Sequence, residues 1–320
     1  MASNPEKPKP EKDSNFNVSP VIRLGTRGSQ LAIWQSTWVK TELEKRNITV
    51  ELIRIKTEGD VKTGSLSQIG GQGLFTKRLQ IALLENEIDL AVHSLKDLPT
   101  EDHPELTIAA VPPRETTSDA LVSNDFSDLS SLPQGAKIGT GSVRRAAQLL
   151  HLRPDLIIED IRGNVDTRLQ KLDDGNYNAI VLASAGLIRL GLGDRIRHKF
   201  QPDELMPAVG QGALGLETRK ADESTIDVVS QLLHPESFHR AMAERAMLRT
   251  LFAGCLAPVG ASTTASQGQL TLTGIVLSCD GREKVSVTQT MPLVESRSLG
   301  ESVARALIEK GADKLLNTSH

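Results

Sequence analysis

Positively charged side chains recur along this chain at the places where predicted strands end. Each member of this set follows an apolar run typical of a strand, either directly or within the next helix: Arg27, Lys96, Arg144, Arg145, Arg162, Arg168 and Arg189. One such arginine alone would be explained by a solvated helix face. The carboxyl ends of strands in open α/β sheets form one edge, and ligands bind there. Since a charge-assisted hydrogen bond contributes roughly 1.5–3 kcal/mol, the set predicts a ligand with several carboxylates or phosphates.

One acid lies beside these cations, Asp97 in the stretch HSLKDLP. One interpretation is an exposed ion pair with Lys96 in a turn, which contributes at most about 1 kcal/mol. The other is a carboxylate on the floor of a cleft, where it handles protons or stabilises a developing cation. His93 precedes it inside the predicted strand, and a structural role is expected for that histidine.

A thiol, Cys255, lies on a glycine-flanked turn in the stretch LRTLFAGCLAPVGAS. Three interpretations fit it: an inert core thiol, a nucleophile and a covalent anchor. A nucleophile needs a partner base, and no histidine lies nearby in the sequence. The cations at the strand ends favour the anchor, because nearby positive charge lowers the pKa of a thiol and makes it reactive. The other cysteine, Cys279, is predicted to be structural.

Composition and motifs argue against several classes of ligand. The formal net charge is −3, so no basic footprint for nucleic acid is expected. The histidines lack metal-ligand spacing, and no metal is predicted. Neither GGQG nor GTGS continues into a Walker A pattern, and GTGSVR lacks the third glycine of a dinucleotide fingerprint. Nucleotide binding is therefore not expected.

The sequence also predicts a cytoplasmic location. No apolar run approaches the ~20 residues that span a bilayer, so no membrane partner is expected. The first stretch, MASNPEKPKPEKDSN, lacks the apolar core of a signal peptide, and we expect residues 1–19 to form a disordered tail. Two cysteines form no disulfide framework, which is typical of a reducing compartment.

Strands and helices alternate over the first two thirds of the chain, which predicts doubly wound α/β sheets with parallel strands. Pro112 and Pro113 suggest a hinge between two such units, and MPAVGQGALGLET reads as a strand that returns to the first. The last third predicts a small α+β unit. Its strands are joined at Asp280–Gly281, a hairpin signal, and one long helix from about 298 to 316 closes the chain.

Nine motifs in order make the chain resemble the hydroxymethylbilane synthase family, also called porphobilinogen deaminase. They are RLGTRGSQLAIWQ, KTEGD, GGQGLFTK, DLAVHSLKDLPT, GTGSVRRAAQL, RGNVDTRLQKL, ASAGLIRLGL, PAVGQGALG and AERAMLRTLFAGCLAPVGA. The resemblance implies a monomer with two hinged domains that are similar to periplasmic binding proteins, and a small C-terminal α+β domain. The corresponding ranges are 20–113 with 208–232, 114–207, and 233–320.

The resemblance also implies an activity. In this family a cysteine, here Cys255 in AGCLAPVGA, holds a dipyrromethane cofactor through a thioether. Four porphobilinogen molecules are joined head to tail to this cofactor with loss of ammonia. Water then releases the linear tetrapyrrole hydroxymethylbilane.

Individual site residues follow from the same resemblance. Asp97 matches the catalytic acid, which faces the pyrrole N–H groups and stabilises the cation formed as ammonia leaves. Ser142 matches a hydroxyl that binds a cofactor carboxylate. The remaining positions match residues that bind the acetate and propionate groups of cofactor and substrate: Arg27, Lys96, Arg144, Arg145, Arg162, Gly163, Arg168 and Arg189.

Four positions depart from the commonest family pattern. Gly141 and Ala253 stand where a serine and a glycine are more usual, and Gln68 and Gln72 stand where many relatives have lysines. Two other classes of protein remain as alternatives. A non-catalytic anion-binding protein of the same two-lobed fold would explain the cations but not Cys255. A thiol hydrolase or transferase would need a base beside that cysteine.

Overall fold

The computed structural model of this chain describes residues 21–55, 76–252 and 257–317. The strands in these ranges are β1 (Ile22–Thr26), β2 (Val50–Arg54), β3 (Leu90–Ser94), β4 (Leu106–Ala110), β5 (Asp119–Val122), β6 (Lys137–Gly139), β7 (Ile157–Glu159), β8 (Ala179–Ala183), β9 (Ile196–Lys199), β10 (Leu214–Arg219), β11 (Val259–Ser266), β12 (Gln269–Leu277) and β13 (Lys284–Pro292). The helices are α1 (Gln30–Glu44), α2 (Lys77–Leu84), α3 (Val143–Leu152), α4 (Val165–Asp173), α5 (Ser184–Arg189), α6 (Glu223–Ser230), α7 (Pro235–Thr250), α8 (Ser296–Glu309) and α9 (Ala312–Asn317).

The first sheet has the order β2-β1-β3-β10-β4. β1 runs parallel to β2 and β3, with Leu24 opposite Leu52 and Leu90. β10 is antiparallel to both β3 and β4. The predicted return of the chain to the first sheet is therefore confirmed, and the returning strand runs against its neighbours.

Helices cover both faces of this sheet because its strands are apolar on both sides. Leu90 and Val92 of β3 belong to a core cluster with side chains of α1. The intervening Ala91 belongs to a second cluster with side chains of α2. Alternate residues of one strand thus serve opposite faces, which is the packing expected of a doubly wound sheet.

The second sheet repeats this arrangement with the order β7-β6-β8-β5-β9. β6 is parallel to β7 and β8, whereas β5 is antiparallel to β8 and β9. Val181 packs in a cluster with Leu149 of α3, and the adjacent Leu182 packs on the other face with Leu169 of α4. The α/β fold class predicted from the sequence is confirmed for both sheets.

The third sheet is antiparallel, with the order β11-β12-β13. The predicted hairpin at Asp280–Gly281 joins β12 to β13, and Gly281 has a φ of 75°, in the region that glycine adopts without strain. α7 and α8 cover one face, where Met247, Val303 and Leu272 share a core cluster.

The prediction of one long closing helix was wrong. The segment forms α8 and α9, which are separated at Gly311, where φ is 91°. A residue in this left-handed region ends a helix, so the two pieces cannot be continuous. Across the described ranges, none of the helices combines the length and apolar character needed to cross a bilayer.

Candidate active site

The predicted acid lies on a short turn at the end of β3. Leu95–Asp97 form a 3₁₀ turn, and the N–H group of Leu95 donates a hydrogen bond to the carbonyl of Ala213, 3.0 Å away. Leu95 and Leu98 are 1% and 4% exposed. Because residues three apart in a 3₁₀ turn lie on the same side, these leucines hold the turn in the core. Asp97 lies on the opposite side and is exposed.

Lys96 is half-buried beside that acid. Burial lowers the pKa of its ammonium group to about 8, and the nearby charge of Arg145 adds to the lowering, whereas Asp97 opposes it. The side chain therefore remains mostly cationic at neutral pH and loses its proton in mildly alkaline solution.

A fully buried carboxylate, Asp119 at the start of β5, holds the predicted Arg144 and Arg145. Its Oδ1 accepts hydrogen bonds from Nε and Nη2 of Arg145 at 3.0 and 2.7 Å. Its Oδ2 lies 2.8 Å from Nη2 of Arg144. Burial alone would raise the pKa of Asp119, but the two guanidinium charges outweigh it and hold that pKa well below its usual range. One carboxylate thus orients two adjacent arginines.

Main-chain and amide groups complete this cluster. Nη1 of Arg144 donates to the carbonyl of Met206 at 2.6 Å, and Nη1 of Arg145 donates to the carbonyl of Val181 at 3.0 Å. Nε of Arg144 is buried and has no hydrogen-bond partner among the described residues. The cluster therefore retains a donor for a further acceptor, and its two arginines outnumber its one acid.

Gln211 comes from the segment that crosses back to the first sheet. Its amide nitrogen donates to Oδ1 of Asp119 at 2.9 Å and to the carbonyl of Thr117 at 2.6 Å. The arginine cluster of the second sheet is thereby bound to the connection between the two sheets.

The first turn of α3 carries Ser142 and the two arginines. The Ser142 hydroxyl accepts a hydrogen bond from the N–H group of Arg145 at 3.4 Å and so caps the helix. Its own hydrogen remains available to donate to an acceptor. At Gly141, an added Cβ would lie 3.0 Å from Oδ1 of Asp160, so the serine more usual in the family would crowd this carboxylate.

The loop between β7 and α4, together with the start of α4, holds the next group of predicted residues. Nε of Arg162 donates to Oδ2 of Asp160 at 2.6 Å, and Nε of Arg168 donates to the carbonyl of Gly163 at 2.8 Å. Gly163 has a φ of 112°, a conformation in which other residues are strained. Burial lowers the pKa of Arg168, and Arg145 adds to this, whereas Asp160 opposes it.

Arg189, at the end of α5, reaches the same connection between the sheets. Its Nη2 donates to the carbonyl of Gly212 at 2.8 Å, and its guanidinium lies 5.8 Å from the centre of the Trp34 ring. Burial lowers the pKa of this guanidinium, while Glu115 opposes the shift. Trp34 belongs to α1, so the contact joins the two sheet units.

Both connections between the sheets also contact α7. Nη1 and Nη2 of Arg114, which follows the predicted proline hinge, lie 2.7 and 2.9 Å from the two carboxylate oxygens of Glu244. The same carboxylate accepts from the N–H group of Gly210 at 2.8 Å. Arg114 and Glu244 are both buried at their side chains. α7 therefore binds the outgoing and the returning connection together.

The structure brings most of the predicted site residues together. The pKa of Lys96 is shifted in part by the charges of Asp97, Arg144 and Arg145, and the pKa of Arg168 by those of Asp97, Arg145 and Arg162. Arg27 follows β1, which ends at the same sheet edge as β3. Asp97, Lys96 and Arg27 follow strands of the first sheet, and the other cations belong to the unit of the second sheet, so the site lies between the two.

Some residues singled out in the sequence lie outside this group. Cys255, Ala253, Gln68 and Gln72 lie outside the described residues. Cys279 is exposed in the turn that joins β12 and β13.

Sequence reasoning missed Asp119 and Gln211. The signal for Asp119 was its place at the head of the apolar run ALV, since a buried acid needs a cationic partner. No comparable local signal marks Gln211, because its partner is distant in the sequence.

Comparison with known families matches two models to this chain. Residues 22–227 match "Porphobilinogen deaminase, dipyromethane cofactor binding domain", and residues 238–309 match "Porphobilinogen deaminase, C-terminal domain". Among curated relatives, porphobilinogen deaminase of Geobacter metallireducens is 46% identical over 298 residues, covering 92% of this chain and 93% of the relative. That of Syntrophotalea carbinolica is 44% identical over 301 residues, covering 93% and 96%.

Solved structures with a similar chain path include periplasmic binding proteins. A periplasmic substrate-binding protein of an ABC transporter from Coxiella burnetii is 15% identical with a TM-score of 0.43, over 70% of this chain and 96% of its own. A nutrient-binding protein from Burkholderia cenocepacia is 15% identical with a TM-score of 0.42, over 66% and 91%.

Proposed function

This chain belongs to the porphobilinogen deaminase family, as a hydroxymethylbilane synthase, and we propose that Asp97 and the surrounding cations carry out its reaction. The enzyme is a transferase of porphyrin biosynthesis that uses a dipyrromethane cofactor. It joins four porphobilinogen molecules head to tail and releases ammonia at each addition. The roles of individual side chains are our proposal, and one observation carries it: an exposed acid lies among cations from both sheets.

The charges of the site fit the cofactor and the substrate. Each pyrrole unit carries an acetate and a propionate, so a growing chain adds two carboxylates at every step. The cations of the site outnumber its acids, and the buried Nε of Arg144 can donate to a further acceptor. Without such compensation, the carboxylates of successive units would repel one another strongly in a cleft of low dielectric.

Cys255 is the residue we propose to hold the cofactor. The stretch AGCLAPVGA that surrounds it supports this role, as does its position a few residues after the end of α7. When bound, the dipyrromethane supplies the pyrrole carbon to which the first substrate molecule is joined. The carboxylates of this cofactor would bind to Ser142, Arg144 and Arg145. Ser142 caps the N-terminus of α3 and both arginines lie in its first turn, so their donors are presented at one helix end.

Asp97 is the proposed catalytic residue. Its carboxylate is held outward by the buried Leu95 and Leu98, so it can accept a hydrogen bond from a pyrrole N–H group. A negative charge at that position stabilises the positive charge that develops on the substrate as ammonia leaves. Lys96, Arg162, Arg168, Arg189 and Arg27 would bind the substrate carboxylates and hold the reacting carbons in place.

The organisation of the whole chain is proposed on the same grounds. The three sheets draw their strands from residues 22–110 with 214–219, from 119–199 and from 259–292, which supports the domains 20–113 with 208–232, 114–207 and 233–320. We propose that the enzyme acts as a monomer in the cytoplasm on porphobilinogen, with no nucleic-acid or membrane partner. The net charge of −3 supports the absence of a nucleic-acid partner.

The test of this proposal compares Asp97→Asn with Asp102→Asn. Asp102 is an exposed acid on the same loop whose Oδ2 lies 3.1 Å from Nη1 of Arg249, so it makes a matched control. General acid–base and electrostatic groups contribute roughly 100- to 10,000-fold, and we expect kcat of Asp97→Asn to fall at least about 100-fold. Colour with acidic p-dimethylaminobenzaldehyde should show that both variants still carry pyrroles.

Asp102→Asn should keep the kcat of the unaltered enzyme. If Asp97→Asn keeps a near-normal kcat, Asp97 is not the catalytic residue, whether or not the variant carries pyrroles.

A further inference from the structure

Arg245 of α7 reaches the loop that carries the proposed acid. Its Nη1 donates to the carbonyl of Leu98 at 3.0 Å, and its Nη2 donates to the carbonyl of Pro99 at 2.6 Å. These two carbonyls come directly after Asp97 in the chain. One planar guanidinium therefore donates hydrogen bonds to two successive peptide groups, a geometry that an ammonium group cannot reproduce.

The side chain of Arg245 that makes these two hydrogen bonds is buried behind the loop. Arg245 is 5% exposed, and it lies close enough to the buried Glu217 of β10 to affect its pKa. Burial would raise the pKa of Glu217, but the 3.0 Å hydrogen bond with His93, the hydrogen bond with Gln80 and the charge of Arg245 together outweigh it and lower that pKa. Gln80 donates to the other oxygen of this carboxylate at 3.0 Å. The nearby negative charge of Glu217 thus stabilises the buried guanidinium of Arg245.

The other hydrogen bonds of the loop lie in the 3₁₀ turn itself or further along the chain, where Nζ of Lys220 donates to the carbonyls of His103 and Pro104 at 3.3 and 2.8 Å. The N–H group of Leu95 binds Ala213, and the N–H group of Leu98 closes the turn on the carbonyl of Leu95 at 3.3 Å. The next strand, β4, begins only at Leu106. Arg245 is therefore placed to fix the two peptide groups that directly follow the acid.

We propose that Arg245 is a positioning residue that holds the Asp97 carboxylate at its working place through the carbonyls of Leu98 and Pro99. This inference rests on the proposed role of Asp97. Its physical basis is that a misplacement of about 1 Å in a reacting geometry costs on the order of 100-fold in rate. Since α7 also leads toward Cys255, a single helix sets the position of the acid loop and precedes the proposed anchor.

The same helix offers a matched control in Arg249. One turn further along α7, Nη1 of Arg249 lies 3.1 Å from Oδ2 of Asp102, and both side chains are exposed. Arg249 thus contacts the same loop from the same helix without touching the backbone next to Asp97. Arg249→Gln should leave kcat and KM unchanged.

The experiment measures kcat and KM for Arg245→Lys, Arg245→Gln and Arg249→Gln, corrected for the pyrroles each protein carries. We expect Arg245→Lys to lower kcat about 10-fold and Arg245→Gln about 100-fold, with KM nearly unchanged. Arg245→Lys keeps the positive charge beside Glu217, so it remains informative if Arg245→Gln does not fold. Amide hydrogen exchange of the segment 98–105 should rise in both Arg245 variants and not in Arg249→Gln.

A double-mutant cycle separates positioning from a general structural effect. If Arg245 acts through Asp97, then adding Arg245→Lys to Asp97→Asn should reduce kcat less than 2-fold further. If the two substitutions lower kcat independently, so that their effects multiply, the proposal is wrong. It is also wrong if Arg245→Lys has a normal kcat. An active Asp97→Asn enzyme would instead overturn the proposed function and this inference with it. If Asp97→Asn is inactive and Arg245→Lys is fully active, the role proposed for Arg245 is wrong, while the proposed function stands.

Discussion

Neutralising Asp119 is expected to destabilise the protein strongly. In Asp119→Asn the side chain keeps its shape but loses the charge that faces Arg144 and Arg145. In the unaltered protein, Oδ1 of Asp119 accepts three hydrogen bonds, from Nε and Nη2 of Arg145 and from Nε2 of Gln211. Its Oδ2 lies 2.8 Å from Nη2 of Arg144. An amide nitrogen in place of either oxygen would face these donors with hydrogens of its own.

The size of the loss follows from the burial of the pair. Asp119 is 0% exposed, and the two arginines are 4% and 6% exposed, so water cannot replace the missing charge. Removing one partner of a buried ion pair costs about 3–5 kcal/mol. Whole proteins are stable by about 5–15 kcal/mol, so this single change should remove a large part of the free energy of unfolding.

Urea denaturation at pH 7 measures this loss against Asp173→Asn. Asp173 pairs with Arg195 at 2.6 Å on the surface of the same sheet unit, and its loss should cost at most about 1 kcal/mol. Adding Arg145→Gln to Asp119→Asn should recover part of the loss, because the excess buried charge is then reduced. An Asp119→Asn protein within 1 kcal/mol of the unaltered one would refute the account of this cluster.

The pH dependence has a definite sign. The native pKa of Asp119 is held below its unfolded value of about 3.9, so its contribution is fully present above that value and is lost as pH falls. The difference in the free energy of unfolding between the unaltered protein and Asp119→Asn should therefore be constant from pH 7 to about pH 5. It should shrink as the pH is lowered through 4, as urea midpoints at each pH will show.

Two further perturbations test the neighbouring residues. Lys96 loses its proton as pH rises through about 8, so KM for porphobilinogen should increase over that range in steady-state assays, and Lys96→Arg should remove the increase; an identical rise in Lys96→Arg would contradict this. Gly163→Ala should cost about 1–3 kcal/mol in urea denaturation, since φ is 112° and the new Cβ would lie 2.7 Å from Cβ of Thr167. Gly175→Ala, with φ of 78° and open space around it, should cost less.

The cations of the site could be predicted because their signal is local. Each follows a strand in the sequence, and parallel strands deliver their carboxyl ends to one edge, so Lys96, Arg145 and Arg168 could be placed together without coordinates. The cap of α3 by Ser142 is likewise a short-range pattern. Family resemblance then supplied the chemistry, which spacing alone left open between a binding protein and an enzyme.

The partners of those cations could not be predicted, because they depend on contacts between distant segments. Asp119 meets Arg145 across 26 positions, and Arg245 meets Leu98 across 147. Nothing in the stretch RAMLRT indicates which loop Arg245 will contact.

The break between α8 and α9 had a local signal, Gly311, which a strong apolar periodicity on both sides outweighed. A glycine within a helical pattern also ends a helix when the following residues turn back onto the core, as α9 does with Leu315.

We propose that Cys255 carries the cofactor on which the tetrapyrrole is built. Intact mass of the purified protein under denaturing conditions tests it most directly, after incubation with porphobilinogen. We expect an excess over the sequence mass equal to two linked pyrrole units, and no excess in Cys255→Ser. Cys279→Ser, the matched control, should keep the excess. An unaltered protein that gains no mass from porphobilinogen, or a Cys255→Ser protein that carries the same excess, would contradict the account.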